Sequence, residues 1–314
     1  MASRGGAGRV SSVGETAEPR AAAPRELHVP RGRTVRRGGS RSSVVVWLAY
    51  LLPAILLLSI FYVYPVGLFL AQSVWDGRLT LAHYARMFSE LTYVRVLYTT
   101  FRIGSVSTVI ALLLAYPLAY VIQGVRPSQR RLLLYLVVVP FWTSVLVRAY
   151  AWMVILGRQG LVNSTLMSLG IIDKPLTLVH NSMGVYVASV HILIPFLVLP
   201  ILSVMLRIDR NLVRAARSLG ATSSRAFWSV FLPLSLPGVV GATVLGFVLT
   251  IGFFIVPALL GGLGDIMIAV LIQTEVNTLL NWHFAAVLAM VLLVATMVLL
   301  FLFNRFVNLR QIWS

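Results

Sequence analysis

No cysteine occurs in the 314 residues, which excludes a disulfide framework, a thiol nucleophile and a cysteine-ligated metal. Lysine is nearly as scarce. Lys174 is the only one, and it sits in Asp-Lys-Pro rather than in the Gly-Lys-Ser/Thr of a phosphate-binding loop, so the chain carries no such ATP site. Acid is sparse too, with 9 Asp and Glu against 26 Lys and Arg. Charged residues make up 11% and hydrophobic ones 59%, whereas soluble domains are about a quarter charged. The composition is that of a bilayer protein. The formal net charge of +17 does not point to nucleic acid, because the arginines lie in the N-terminal tail and in alternate loops between apolar runs.

Residues 1–42 are rich in Gly, Ala, Ser, Pro and Arg and hold almost no large apolar side chain, so a disordered basic tail is expected. Its end, RGRTVRRGGSR, suits contact with anionic lipid or retention in the cytoplasm. Six apolar runs follow at 44–70, 102–123, 132–157, 182–206, 236–260 and 284–304. Each is long enough to cross a membrane as a helix, which takes about 20 residues. Pro53, Pro117, Pro140, Pro195 and Pro257 interrupt them, which a packed bundle tolerates because neighbouring helices satisfy the freed backbone groups. No Asp or Glu falls inside a run. That argues against a proton-driven carrier, though not against a sodium carrier that binds its ion through carbonyls.

Arginine sets the orientation. Arg126, Arg130, Arg131, Arg207, Arg210, Arg214, Arg217, Arg225, Arg305 and Arg310 share one side with the tail. The other side has fewer, offset by Asp76, Glu90, Asp173, Asp265 and Glu275. The bias places both termini of a multi-pass membrane protein in the cytoplasm.

One cytoplasmic stretch is polar where its surroundings are apolar: RAARSLGATSSRAFWSVFLPLSLPG, from Arg214 to Gly238. Asp209 is a plausible N-cap, Gly220 suits a left-handed helix end, and Thr222 suits the cap of a second short helix that runs into the next span near Pro233. On the first helix Leu212, Ala216 and Leu219 share a face, while Arg207, Arg210, Arg214 and Arg217 line another. Such a helix fits the lipid headgroup zone or a groove on a partner protein.

The spacing Ala215-Ala216, Gly220, Val230 and Leu232-Pro233 resembles the EAA loop of permease subunits of bacterial ABC importers. YPLAYVI at 116–122, VVPFWTSVLVRAYAW at 138–152, GRQGLVNS at 157–164, LPLSLPGVVGA at 232–242 and PALLGG at 257–262 are similar to the first permease of spermidine/putrescine-type importers. The resemblance covers about 43–314. It implies an all-α, MetI-like bundle of about six membrane helices, with its core at 98–304 and a cytoplasmic coupling helix within the loop 207–233. It further implies cytoplasmic ATPase subunits that bind ATP and Mg, a second permease, and an extracytoplasmic solute-binding protein. This chain would then bind no cofactor, and the solute class would be polyamine. Arg214, Ala215, Ala216, Leu219, Gly220 and Pro233 would couple to the ATPase. Arg214 stands where the signature has Glu, so either the partner differs there or the small and apolar residues alone make the contact.

For the solute path the candidates are Trp142, Arg148, Tyr150, Phe253 and Phe254, each with packing, belt or snorkelling as its plainer role. Gly238, Ala242 and Gly246, spaced by four, permit close approach of another helix or of the second permease. His28, His83, His180, His191 and His283 lack metal-ligand spacing. A self-sufficient secondary transporter or channel is the alternative. A membrane-embedded enzyme has only Asp265, Glu275 and His283 as loose candidates.

Overall fold

Apolar runs punctuated by proline fold in the computed structural model as helices broken at defined points. The structure describes residues 50–307. The expected tail 1–42, the start of the first span and the C-terminal Arg310 lie outside the described residues. The chain divides into units Met1–Leu56 and Leu57–Ser314, and the bundle described below is that of the second, from Leu57 onward. Helix α1 is Tyr50–Ala71, α2 Ala82–Ser89, α3 Leu91–Gly124, α4 Pro127–Val138, α5 Val145–Leu156 and α6 Leu161–Ser168. Then come α7 Ser182–Met205, α8 Arg210–Ser218, α9 Ser223–Ile251, α10 Ile255–Leu260, α11 Ile268–Asn277 and α12 Trp282–Val307. Among the described residues the only β pairing is an isolated bridge between Trp75 and Leu79.

Among the described residues six helical stretches are long and apolar enough to cross a membrane, as expected, but two are placed differently. The expected third span, 132–157, is not continuous. It breaks into α4, a 3-10 turn at Val139–Trp142, and α5. Pro140 has no N–H to donate and its ring crowds the carbonyl four residues back. Its own carbonyl accepts the Thr143 hydroxyl at 2.7 Å. The stretch long and apolar enough to cross a membrane is instead Val145–Ser168, built from α5 and α6. The expected fifth span, 236–260, begins earlier, at Ser223, and stops at Ile251, with Pro257 in the separate α10.

Two prolines inside helices have a local remedy in common. A π turn at Ser59–Val63 precedes Pro65, and another at Phe227–Phe231 precedes Pro233. In each the carbonyl four residues before the proline lies within the widened turn, which relieves the clash a regular helix would suffer.

Small residues set how closely the central helices approach. Ala111, Ala115 and Ala119 of α3 are fully buried against Leu193, Leu197 and Ile201 of α7. The stripe Gly238–Ala242–Gly246 of α9 faces α7 of the same chain. A Cβ at Gly238 would sit 3.0 Å from the Cβ of Val204, and one at Gly246 would sit 2.9 Å from a methyl of Leu197. In lipid, where tails are as apolar as leucine, such close contact supplies the packing attraction. A second cluster joins Ile103, Ala149, Ala188, Ile192, Val256 and Leu260. A third holds α12 through Phe284, Val287 and Leu288 against Met87, Tyr93 and Ile268. From Leu57 onward α1 presents leucines and aromatics such as Leu58, Phe61 and Tyr64 outward.

Candidate coupling site and solute path

The bundle has an arginine-rich end, where α3 and α7 finish and α8 lies, and a far end, where α7 and α12 begin. At the arginine-rich end the local signals act as expected. The Asp209 carboxylate accepts the N–H of Asn211 at 2.9 Å and caps α8. Gly220 has φ +89°, a conformation that costs any side chain with a Cβ, and it ends the helix. The Thr222 hydroxyl accepts the N–H of Arg225 at 3.2 Å and starts α9.

The position of α8 is fixed by the last carbonyls of α3, which have no partners within their own helix. Arg210 donates to Gln123 O at 3.0 Å, and Arg130 donates to the same oxygen at 3.1 Å and to Ile122 O at 3.3 Å. Guanidinium groups there also complement the negative end of the α3 dipole. Ile208 and Val213 pack down against the first core cluster.

The opposite side of α8 is bare. Leu219 is 89% exposed and Leu212 49%, with Ala215 and Gly220 exposed beside them and Ala216 half-buried. The leucines of the face expected from spacing thus point outward with Ala216 half-buried, and Val213, outside that face, is the residue turned to the core. Arg214 is exposed, and its guanidinium bonds the Asn211 side-chain oxygen at 2.8 Å. Pro233 lies two residues past the π turn of α9 and is exposed.

The five path candidates fall in different settings. Trp142, 82% exposed, ends the 3-10 turn where the third span breaks. On α5, Tyr150 faces outward while Arg148 is buried, its Nε and one terminal nitrogen without hydrogen-bond partners. Phe253 and Phe254 form the break between α9 and α10. Phe253 packs against two core clusters and Phe254 is partly exposed.

Pairings between distant residues are what the sequence does not display. Arg102 meets Asp265 at 3.2 Å across 163 residues, and Ser182 also bonds Asp265. His283 stacks on His83, ring centres 6.1 Å apart, and both approach Asp76. The loose enzyme candidates are thus dispersed: Asp265 is in an ion pair, His283 is on a histidine, and Glu275 is buried on α11, where burial raises its carboxyl above the ordinary range. Among the described residues no group of three or more His, Cys, Asp or Glu converges on a metal position. Trp152 lies against His191 at 5.6 Å on the wall of an apolar groove between α3 and α7, a juxtaposition that no local spacing announced.

A family model described as the inner membrane component of binding-protein-dependent transport systems matches residues 107–311. The chain belongs to that family. It is similar to the spermidine/putrescine transport system permease protein PotB of Haemophilus influenzae, 33% identical over 82% of this chain and 90% of that one. PotB of Escherichia coli is 32% identical over 72% of this chain and 82% of its own length. Among solved structures, a bacterial alginate ABC transporter in complex with its alginate-pentasaccharide-bound periplasmic protein shares the fold. Its TM-score is 0.70 at 19% identity, over 84% of this chain and 94% of that one. This inner membrane component is an ABC-importer permease, a translocation subunit rather than an enzyme, and it crosses the inner membrane repeatedly.

Proposed function

We propose that this permease moves polyamines of the spermidine/putrescine class, delivered by an extracytoplasmic solute-binding protein, along a path shared with a second permease. Power comes from cytoplasmic ATPase subunits, which hold the ATP and Mg. The arginine-rich end faces the cytoplasm with both termini, since basic loops resist translocation. The polyamine class rests on the two PotB relatives.

One observation carries the mechanism: α8 is tethered on one side and bare on the other. Arg210 ties it to the end of α3, and Ile208 and Val213 seat it on the core. A force applied to the Leu212–Leu219 side is therefore delivered to α3, and through the Ser223 start of α9 to that span as well. Ala215, Ala216 and Gly220 let a partner's backbone come close, Leu219 supplies the apolar contact, and Pro233 follows the widened turn by which α9 takes up the load. Alternation between inward- and outward-facing states then follows from ATP-driven closure of the ATPase pair. On the solute side Trp142 and Tyr150, both exposed, offer faces on which an ammonium group stacks. Phe253 and Phe254 mark a hinge of the path, while Arg148 is buried on α5 away from the exposed Tyr150 face.

Retention of the ATPase by the purified permease tests this. Wild type keeps it, and Gly220→Trp, which cannot hold φ +89° without strain, loses it. A Gly220→Trp complex that survives intact contradicts the assignment of the loop.

A further inference from the structure

The coupling segment carries positive charge that the chain itself does not neutralise. Residues 207–225 contain Arg207, Arg210, Arg214, Arg217 and Arg225 against one carboxylate, Asp209. That carboxylate is engaged as the α8 cap. Arg210 is engaged on the Gln123 carbonyl. Arg214 meets only the neutral amide oxygen of Asn211, and among the described residues no ion pair includes it. Arg210 and Arg214 border a cleft of about 480 Å³ with Tyr120, Gln123 and Phe231, open at the arginine-rich end.

Leu212 and Leu219 flank the exposed residues Asn211, Ala215 and Ser218 on one side of α8 and Arg214 flanks them on the other, so a partner groove that receives this side of the helix takes Arg214 out of water together with the leucines. An unpaired guanidinium removed from water is strongly unfavourable, whereas a carboxylate meeting it forms a charge-assisted, often bidentate contact. We propose that the ATPase surface seated on α8 is acidic where it meets Arg214, with an Asp or Glu side chain entering the Arg210–Arg214 cleft. This rests on the coupling reading above and adds a specificity rule to it. The EAA signature has Glu where this chain has Arg214, so an ATPase with a basic side chain suited to that Glu meets like charge here and is refused.

The test uses the whole transporter, co-expressed and purified in neutral detergent without anionic lipid, with ATPase affinity measured over a series of NaCl concentrations. Association of the wild type weakens as salt rises. Arg214→Glu weakens it roughly ten- to a hundredfold, and Arg214→Ala by about three- to tenfold. A carboxylate-to-arginine change on the ATPase, selected as a suppressor, restores Arg214→Glu and fails with wild type. Unchanged or tighter association of Arg214→Glu overturns the inference while leaving the coupling reading intact. So does a loss confined to vesicles containing phosphatidylglycerol, since the arginine would then serve lipid headgroups. A wild-type permease that retains no ATPase overturns the coupling reading itself, and this inference with it.

Discussion

At the far end of the bundle, charge meets charge within the chain. Arg86 bonds Glu90 at 3.1 Å and the Tyr93 hydroxyl at 3.2 Å while lying 4.8 Å over the Phe284 ring, and Arg102 holds Asp265. At the arginine-rich end the guanidiniums of Arg130 and Arg210 go to backbone carbonyls, Arg214 goes to an amide, and two leucines stay bare. The first end pairs charges within the chain. The second has a fixed position but an uncovered surface, which is how a part looks when its complement belongs to another chain.

The contrast can be broken at several points. The largest effect is expected midway between the two ends, where both depend on close packing. Gly246→Leu drives atoms into Leu197, already 2.9 Å from where a Cβ would stand. Overpacking of this kind should cost about 3 kcal/mol, read as a sharp drop in the thermal midpoint of the purified protein. Next comes the far end. Asp265→Asn leaves Arg102 without its counter-charge and should cost about 2 kcal/mol, less than a fully buried pair because Arg102 is partly exposed. An unchanged midpoint would mean that the far end is not held by that pair.

The arginine-rich end should respond more weakly in stability. Arg210→Ala removes one of two donors on Gln123 O, and Arg130 remains, so a loss of about 0.5 kcal/mol is expected. Transport should fall further than stability does, because α8 then moves without α3; equal losses in both would deny the tether. Smallest is Glu275, whose carboxyl burial raises above the ordinary range against the opposing pull of Arg86. A carboxyl raised in the folded chain supports folding while protonated. Its contribution is present below the ordinary carboxylate pKa and is lost as pH rises through the raised value. Glu275→Gln should therefore leave stability unchanged in acid and slightly higher above that window, measured as thermal midpoint against pH.

What could be read from the sequence divides along the same line as local and distant interactions. The caps at Asp209 and Thr222 and the turn at Gly220 are written in neighbouring residues, and the structure has them where spacing placed them. The stripe Gly238–Ala242–Gly246 was legible as a contact surface, and α7 turned out to be what it contacts. Pro140 was legible as an interruption of the third span, but not as the end of a helix, because apolarity continues through Val139–Trp142 while the hydrogen-bond ladder does not. Nor was the tether of α8, since Gln123 and Arg210 lie 87 residues apart and a backbone carbonyl leaves no mark in composition. Leu212 and Leu219 were grouped with Ala216 by spacing, but only packing reveals that Val213 is the residue facing inward.

Because the chain has no cysteine, a single Leu219→Cys variant gives an unambiguous probe of the bare surface. In inside-out vesicles of the whole transporter, a membrane-impermeant maleimide should label Cys slowly while the ATPase is bound and quickly after it is stripped away. Equal labelling in both states, or labelling only in right-side-out vesicles, would contradict a cytoplasmic grip on α8.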